Sequence, residues 1–366
     1  MFTLMALIYP LSNTELQQAS FKPMRAETKP RKGQRPIYPR RSYMGSCNPK
    51  YGKVMVLVLY SSKEGGSSGS HNRATIDRSI NCYVSGAKYA KERIDVEINQ
   101  RVVDACSRHK VPKYRKYCAA AEYLKDTDWM LVLDDNTAVA NPNHCIEEWI
   151  DDRVNVIFYE EFHGWAISDD NYLVRNSEWS VKFLHELAEK EFQLRFIWSG
   201  YGSGTVLTLA RTLVDTAERE YADCVRQWRS ILKHETPSAC GRLILGYRRF
   251  WPDKVRIYRK GHGWSREALL TDNFWCDSDF LLRDWQESSV EHEMWGAPHS
   301  NDEDSEVCAM NNRVWKWLPN KRTNCTVIRE DFQAYEDLHR SNSPKQVQEF
   351  LKELEVWQCY PQCEGE

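Results

Sequence analysis

The 366-residue chain is 42% apolar and 28% charged, values of a folded globular protein with room for one large α/β domain or two smaller ones. Its formal net charge of −2 argues against a general nucleic-acid binder, and no stretch approaches the length of a membrane span.

Basic residues do cluster in Lys29-Pro30-Arg31-Lys32 and Pro39-Arg40-Arg41, within a segment rich in Lys, Arg, Pro and Ser that runs to about residue 50. It reads as a solvated arm, or else a binding tail. Met1 to Leu11 is apolar but short, lacks a basic flank and is interrupted by Pro10, so it makes a weak signal peptide.

Lys53 to Tyr60 (KVMVLVLY) is an unalternated apolar run, the pattern of a strand buried on both faces. Ser61 to Ser70 is a Gly/Ser loop without the spacing of a phosphate-cradling loop. Arg73 to Ala90 reads as a helix with Ile76, Ile80, Tyr83 and Val84 on one face, and Arg93 to Ile98 as a short strand. Lys113 to Leu124 reads as a second helix, leading into a buried strand from Met130 to Leu133. This alternation predicts a parallel sheet with right-handed crossovers.

Beyond it, Cys145 to Ile150 is a helical turn and Val154 to Tyr159 a strand. Asn171 to Arg175 is expected as an edge or antiparallel strand. Asn176 or Ser177 then caps a helix from Glu178 to about Phe192, with Val181, Phe183, Leu184 and Leu187 facing the core. Gly200 to Gly204 reads as a tight loop before a helix from Val206 to about Arg219, and Tyr221 to Leu232 as another helix. Val255 to Tyr258 is a strand candidate, Gly261 to Trp264 a turn, and Gln346 to Trp357 a terminal helix, with Cys359 and Cys363 fastening the tail. His262, His292 and His299 lack metal-helix spacing and read as surface histidines.

Twelve scattered cysteines suit an oxidising compartment, with reduced buried thiols as the other reading. No CxxC pair is matched by a second, which argues against a zinc ribbon. Asn324-Cys325-Thr326 is a glycosylation sequon. The fourteen tryptophans point to the core or to a carbohydrate-facing surface.

The stretch of greatest chemical interest is Met130 to Pro142. Its buried strand runs directly into Asp134, Asp135 and Asn136, and Asn141-Pro142 stops regular structure. Acidic groups at the carboxyl end of a buried strand occupy the usual place of a ligand or metal site in an open α/β sheet. The plainer reading is a pair of aspartates that turn the chain.

In order, Ile80-Asn81-Cys82-Tyr83, Tyr117-Cys118, Asp128 to Asp134, Asn141-Pro142, Asn171 to Asn176, and Asp279-Phe280 followed by Trp285 resemble a nematode-expanded family of unknown function, domain family 273, within the GT-A glycosyltransferase superfamily. The resemblance spans roughly residues 50 to 290. It implies an α/β GT-A fold, a Rossmann-like, mostly parallel sheet flanked by helices, that binds a nucleotide-diphosphate sugar linked to UDP or GDP. It also implies an Asp-x-Asp motif holding Mn²⁺ against the diphosphate. A divalent cation on hard oxygen ligands stabilises the charge that develops on the departing diphosphate.

This chain departs from that pattern. The motif stands as Asp134-Asp135-Asn136, where an amide replaces the second carboxylate and is a weaker ligand. Ala166 stands where the family has a glutamate, and Asp170 where it has a glycine. Gly202-Ser203-Gly204 lacks the family's polar groups, and Arg283-Asp284-Trp285 replaces a metal-binding histidine. Two accounts follow. In one the chain is a pseudo-glycosyltransferase, a binding or scaffold protein. In the other it transfers a hexose to a glycan or glycoprotein without metal, Arg283 supplying the positive charge. The plain reading of Arg283 is a surface ion pair with Asp284 or Asp279.

The expected organisation is an arm over 1–50, a GT-A-like domain over 51–290 and a cysteine-containing extension over 291–366. The expected nucleotide-sugar site is Asp134, Asp135, Asn136 and Arg283, with Asp134 and Asn136 as degenerate metal ligands. The expected location is the Golgi lumen or the secreted space.

Overall fold

The computed structural model describes residue 47 and residues 50–63, 70–162, 166–193, 203–230, 235–246, 248–283 and 321–341. Of the sequence expectations, the arm before Cys47, the Gly200–Gly202 part of the tight loop, His292, His299, the Gln346–Trp357 helix, Cys359 and Cys363 lie outside them.

The expected alternation forms. Strand β1 (Val54–Tyr60) is followed by helix α1 (Ser70–Ala87), β2 (Ala90–Asp95), the short α2 (Gln100–Cys106), α3 (Pro112–Tyr123) and β3 (Trp129–Asp134). Both crossovers return to a parallel neighbour, β1 pairing with β2 on one side and with β3 on the other. Residues of β1 alternate between two cores: Met55, Leu57 and Leu59 face one, Val54, Val56 and Val58 the other. That double burial is why the run carries no polar alternation.

After β3 come β4 (Ala138–Val139), β5 (Val156–Tyr159), β6 (Tyr172–Arg175), α4 (Glu178–Gln193), α5 (Ser203–Leu213), α6 (Glu218–Ser230) and α7 (Glu235–Leu245). Then follow β7 (Phe250–Trp251), β8 (Val255–Tyr258), β9 (Ser265–Glu267), β10 (Leu281–Arg283) and α8 (Cys325–Ser341). The main sheet has seven strands in the order β2-β1-β3-β6-β5-β8-β7. Strands β2, β1, β3, β5 and β8 run one way, β6 and β7 the other. The fold is thus mixed α/β, with a mostly parallel sheet flanked by helices.

Strand β6 is antiparallel as expected but is not an edge strand. It is wedged between β3 and β5 and pairs with both. Of the two cap candidates, Ser177 does the work: its Oγ accepts the Ser180 amide at 3.1 Å, while Asn176 donates to the Thr127 carbonyl.

A second sheet of three short strands, β4-β10-β9, packs on one face of the first. It carries Ala138, Val139, Leu281 and Leu282 into the core that also holds Trp129, Trp149, Trp264 and Trp275. These indoles, and Trp251 of the opposite core, are buried, so the core reading of the tryptophans is the one the described residues bear out. His262 is buried as well, which corrects its reading as a surface histidine: the chain turns at Gly261, and the His262 carbonyl accepts the indole N–H of buried Trp149 at 3.3 Å.

Disulfides join Cys47 to Cys145, Cys106 to Cys118, Cys224 to Cys240 and Cys276 to Cys325. Cys82 is disulfide-bonded too. The Cys276–Cys325 bridge ties α8 to the body, where Phe332 stacks on Phe162 with ring centroids 4.1 Å apart. Asn324 of the sequon is exposed, and its side-chain oxygen accepts the Thr326 amide at the start of α8. No helix among the described residues is long and apolar enough to cross a membrane. The disulfides fit a secreted or lumenal protein.

Candidate functional site

Because β1 leads through α1 to β2 on one side, and β2 leads through α3 back to β3 on the other, the connections diverge between β1 and β3. The crevice outside the carboxyl ends of two such strands is where ligands bind in open α/β sheets. A small, partly open crevice lies there. Leu59 at the end of β1, Val132, Leu133 and Asp134 at the end of β3, and Lys113 and Lys116 in the first two turns of α3 contribute to its wall. Leu59 and Asp134 are register partners.

The polar wall is built from α3 and from the loop entering β6. The Lys113 ammonium lies 2.8 Å from Asp169 Oδ2. The same oxygen accepts the Tyr117 hydroxyl at 3.0 Å and the Thr205 hydroxyl at 3.1 Å. Burial by itself would lower the Lys113 pKa, but the charges of Asp169 and Asp170 outweigh it and hold the ammonium above its ordinary value. Asp170 stands half-buried beside this knot. Tyr172, 1% exposed, also lines the cavity, and its hydroxyl is buried without a hydrogen-bond partner. A buried hydroxyl of this kind calls for a polar group that none of the described residues supplies.

Asp134 ends β3 with the same parity as Met130 and Val132, so its side chain leaves on the face of α3. Its Oδ1 accepts the Thr137 hydroxyl at 2.9 Å, and Asn136 Oδ1 lies 3.3 Å from that hydroxyl. Asn171 closes the turn: its Oδ1 accepts the Asp134 amide at 3.2 Å and its Nδ2 donates to Thr137 at 2.9 Å. The turning role and the cavity-lining role of Asp134 therefore coexist.

These residues do not fit a preformed divalent-cation site. Asp134 and Asn136 converge on the Thr137 hydroxyl. Among the described residues, the one close group of three His, Cys, Asp or Glu donors is Cys47, Cys145 and Glu147, whose cysteines are joined to each other.

Asp135, Asn136 and Arg283 are not among the cavity-lining residues. Arg283 reaches the neighbourhood through the small sheet. Leu282 pairs with Ala138 and Leu281 with Val139, so the antiparallel ladder leads from Arg283 toward Thr137. The guanidinium is buried, which corrects its plain reading as a surface ion pair. Its partners are Glu161 at 2.8 Å and Glu267 at 3.3 Å, whereas Asp279 is held by Arg266. Tyr159 joins the two regions: its hydroxyl accepts from Asn171 Nδ2 at 3.5 Å and lies within electrostatic range of Arg283.

Sequence reasoning missed Lys113, Asp169, Tyr172, Glu161 and Glu267. A signal existed for two of them: β5 runs into Glu160-Glu161 as β3 runs into Asp134-Asp135, and Asp169-Asp170 precedes β6.

No curated protein matches the chain. Among solved structures, the crystal structure of a glycosyltransferase involved in the glycosylation of the major capsid of PBCV-1 is similar at a TM-score of 0.38 and 13% identity, over 63% of this chain and 93% of that one. Residues 80–296 match the family described as "Protein of unknown function, DUF273", and with more than half of its length matched the chain belongs to that family.

Proposed function

We propose that this chain is a glycosyltransferase-like protein of the secretory pathway that binds a nucleotide sugar at the carboxyl ends of β1 and β3, without a resident Mn²⁺. The observation that carries this reading is the cavity at the divergence of β1 and β3. It mixes carboxylate acceptors, Asp134 and Asp170, with ammonium donors and the unpartnered Tyr172 hydroxyl. That set matches a hydroxyl-rich ring, because carboxylates accept from sugar hydroxyls while lysines and tyrosine donate to ring and phosphate oxygens. The diphosphate would then run past Asp135 and Asn136 toward Arg283.

The same residues favour binding over transfer. Arg283 is already neutralised by Glu161 and Glu267, so neither a cation site nor an uncommitted guanidinium is ready to stabilise a leaving diphosphate. If transfer persists, the product is a hexosylated glycan or glycoprotein.

Calorimetric titration of the oxidised protein with UDP and with GDP, each with and without Mn²⁺, tests the reading. Binding indifferent to Mn²⁺ and weakened in Asp134→Asn supports it. Binding that requires Mn²⁺ restores the metal motif, and the lack of any nucleotide binding removes the proposal.

A further inference from the structure

We propose that Asn324 is a site of N-linked glycosylation, and that its glycan is attached before the Cys276–Cys325 bridge fastens α8. This rests on the secretory part of the reading above and is independent of the nucleotide-sugar crevice.

Asn324, Cys325 and Thr326 form the Asn-x-Thr pattern, with no proline at the middle position. Asn324 and Thr326 are both exposed. Asn324 stands just ahead of α8 and uses its oxygens there. Its Oδ1 accepts the Thr326 amide at 2.9 Å, and its carbonyl accepts the Val327 amide at 2.9 Å. Its Nδ2 makes no hydrogen bond among the described residues. A glycan goes onto that nitrogen. It replaces one amide hydrogen and spares the capping oxygen, so a glycosylated Asn324 keeps the start of the helix intact.

Attachment needs an activated donor and an enzyme. Nδ2 attacks the anomeric carbon of a polyprenyl-diphosphate oligosaccharide. The N–C bond forms, the bond from that carbon to the diphosphate oxygen breaks, and one amide proton passes to a base of the transferase. To do this the transferase must draw the sequon into its own cleft.

The folded chain holds the sequon at three points. Just before it, the Trp275 amide donates to the Lys321 carbonyl at 2.9 Å, and the Thr323 amide donates to the Trp275 carbonyl at 2.8 Å. At its middle, Cys325 is bridged to the buried Cys276. Just after it, α8 sinks Ile328 and Phe332 into a small core with Phe162. Drawing the sequon into a second protein's cleft breaks all three holds at once. A glycan fits at Asn324 in the folded chain, but it is added earlier, and α8 closes behind it.

The first test is whether the site is used. The full chain, delivered to the lumen of a eukaryotic host by an added leader, is expected to lose mass on treatment with peptide-N-glycosidase and to yield a peptide with aspartate in place of Asn324. Thr326→Ala is expected to be secreted without the modification. A leader-directed wild type with unmodified Asn324 overturns the site, whatever the native compartment. A modified leader-directed chain, beside unmodified protein in the cytosol of the cells that make it, removes the secretory reading and the proposal with it.

The second test is the order of events. Oxidised, unglycosylated chain from a bacterial periplasm is incubated with purified oligosaccharyltransferase and its lipid-linked donor. Oxidised wild type is expected to be modified at least about tenfold more slowly than oxidised Cys276→Ser, or than wild type reduced beforehand, because modification goes through the opened segment and the bridge suppresses opening. Equal rates, zero included, overturn the order.

Discussion

Asp169 and Lys113 meet 2.8 Å apart in the wall of the cavity, and the same carboxylate oxygen gathers the Tyr117 and Thr205 hydroxyls. One side chain thus ties α3 to α5 and to the loop that enters β6. Replacing it with alanine leaves a buried ammonium and two hydroxyls without their acceptor. Asp169→Ala is therefore expected to lower unfolding free energy by about 3–5 kcal/mol, measured by denaturant titration. The double variant Lys113→Met/Asp169→Leu should recover most of that loss. If the double variant is as unstable as the single one, the pair is not what holds these elements together.

Asp134 separates structure from binding. Asp134→Asn keeps an oxygen for the Thr137 hydroxyl, so its stability should stay within about 1 kcal/mol of wild type. Removing the carboxylate should weaken UDP binding roughly tenfold or more, since hydrogen bonds to a charged acceptor are the stronger kind. Calorimetry of the two proteins decides it. Unchanged affinity in a stable variant would return Asp134 to a turn-former.

Asp151 sets an acid limit. It precedes β5 and accepts from Arg153 and, at 2.6 Å, from Arg256 of β8. Burial by itself raises its pKa, but the two guanidinium groups prevail and bring it down to about 2 from 3.8. A depressed carboxylate contributes stability that is full above the unfolded value near 4 and is lost as pH falls toward 2. The contribution is roughly 2 kcal/mol. Asp151→Asn should lose about that much at pH 7 and show a flatter stability profile between pH 4 and 2. A variant profile that parallels wild type in that window would contradict the assignment.

The Cys276–Cys325 bridge closes a loop of 49 residues and fastens α8. Cys276→Ser/Cys325→Ser should cost about 3–4 kcal/mol by loop-closure entropy. Limited proteolysis should then cut near α8 before the main sheet. Unchanged protection would mean that the Phe162–Phe332 stack holds the helix alone.

Strands β1 and β3 were legible because both faces are buried, and a doubly buried strand writes itself as a nearly unbroken apolar run, as in Val54–Tyr60 and Trp129–Asp134. Other elements were not. Helix α7 contains Pro237 and Gly241, poor residues for a helix interior. The proline falls in the first turn, where its missing donor costs little, and the glycine lets α7 approach α5. A Cβ at Gly241 would lie 2.7 Å from Val206 Cγ1. Strand β10 is three residues long, and its identity comes from pairing with β4 and β9 rather than from local preference.

By itself the sequence determined the α/β class, the family resemblance and the acidic end of β3, because these depend on periodicity and on residues adjacent in the chain. Tertiary structure decided the rest. It placed Lys113, Asp134, Asp169 and Tyr172 around one cavity, although up to 59 positions separate them, and it enclosed Arg283 between Glu161 and Glu267. A charge's role depends on what lies opposite it once the sheet has formed. Cross-strand register and crossover geometry set that, and neither is written in local spacing.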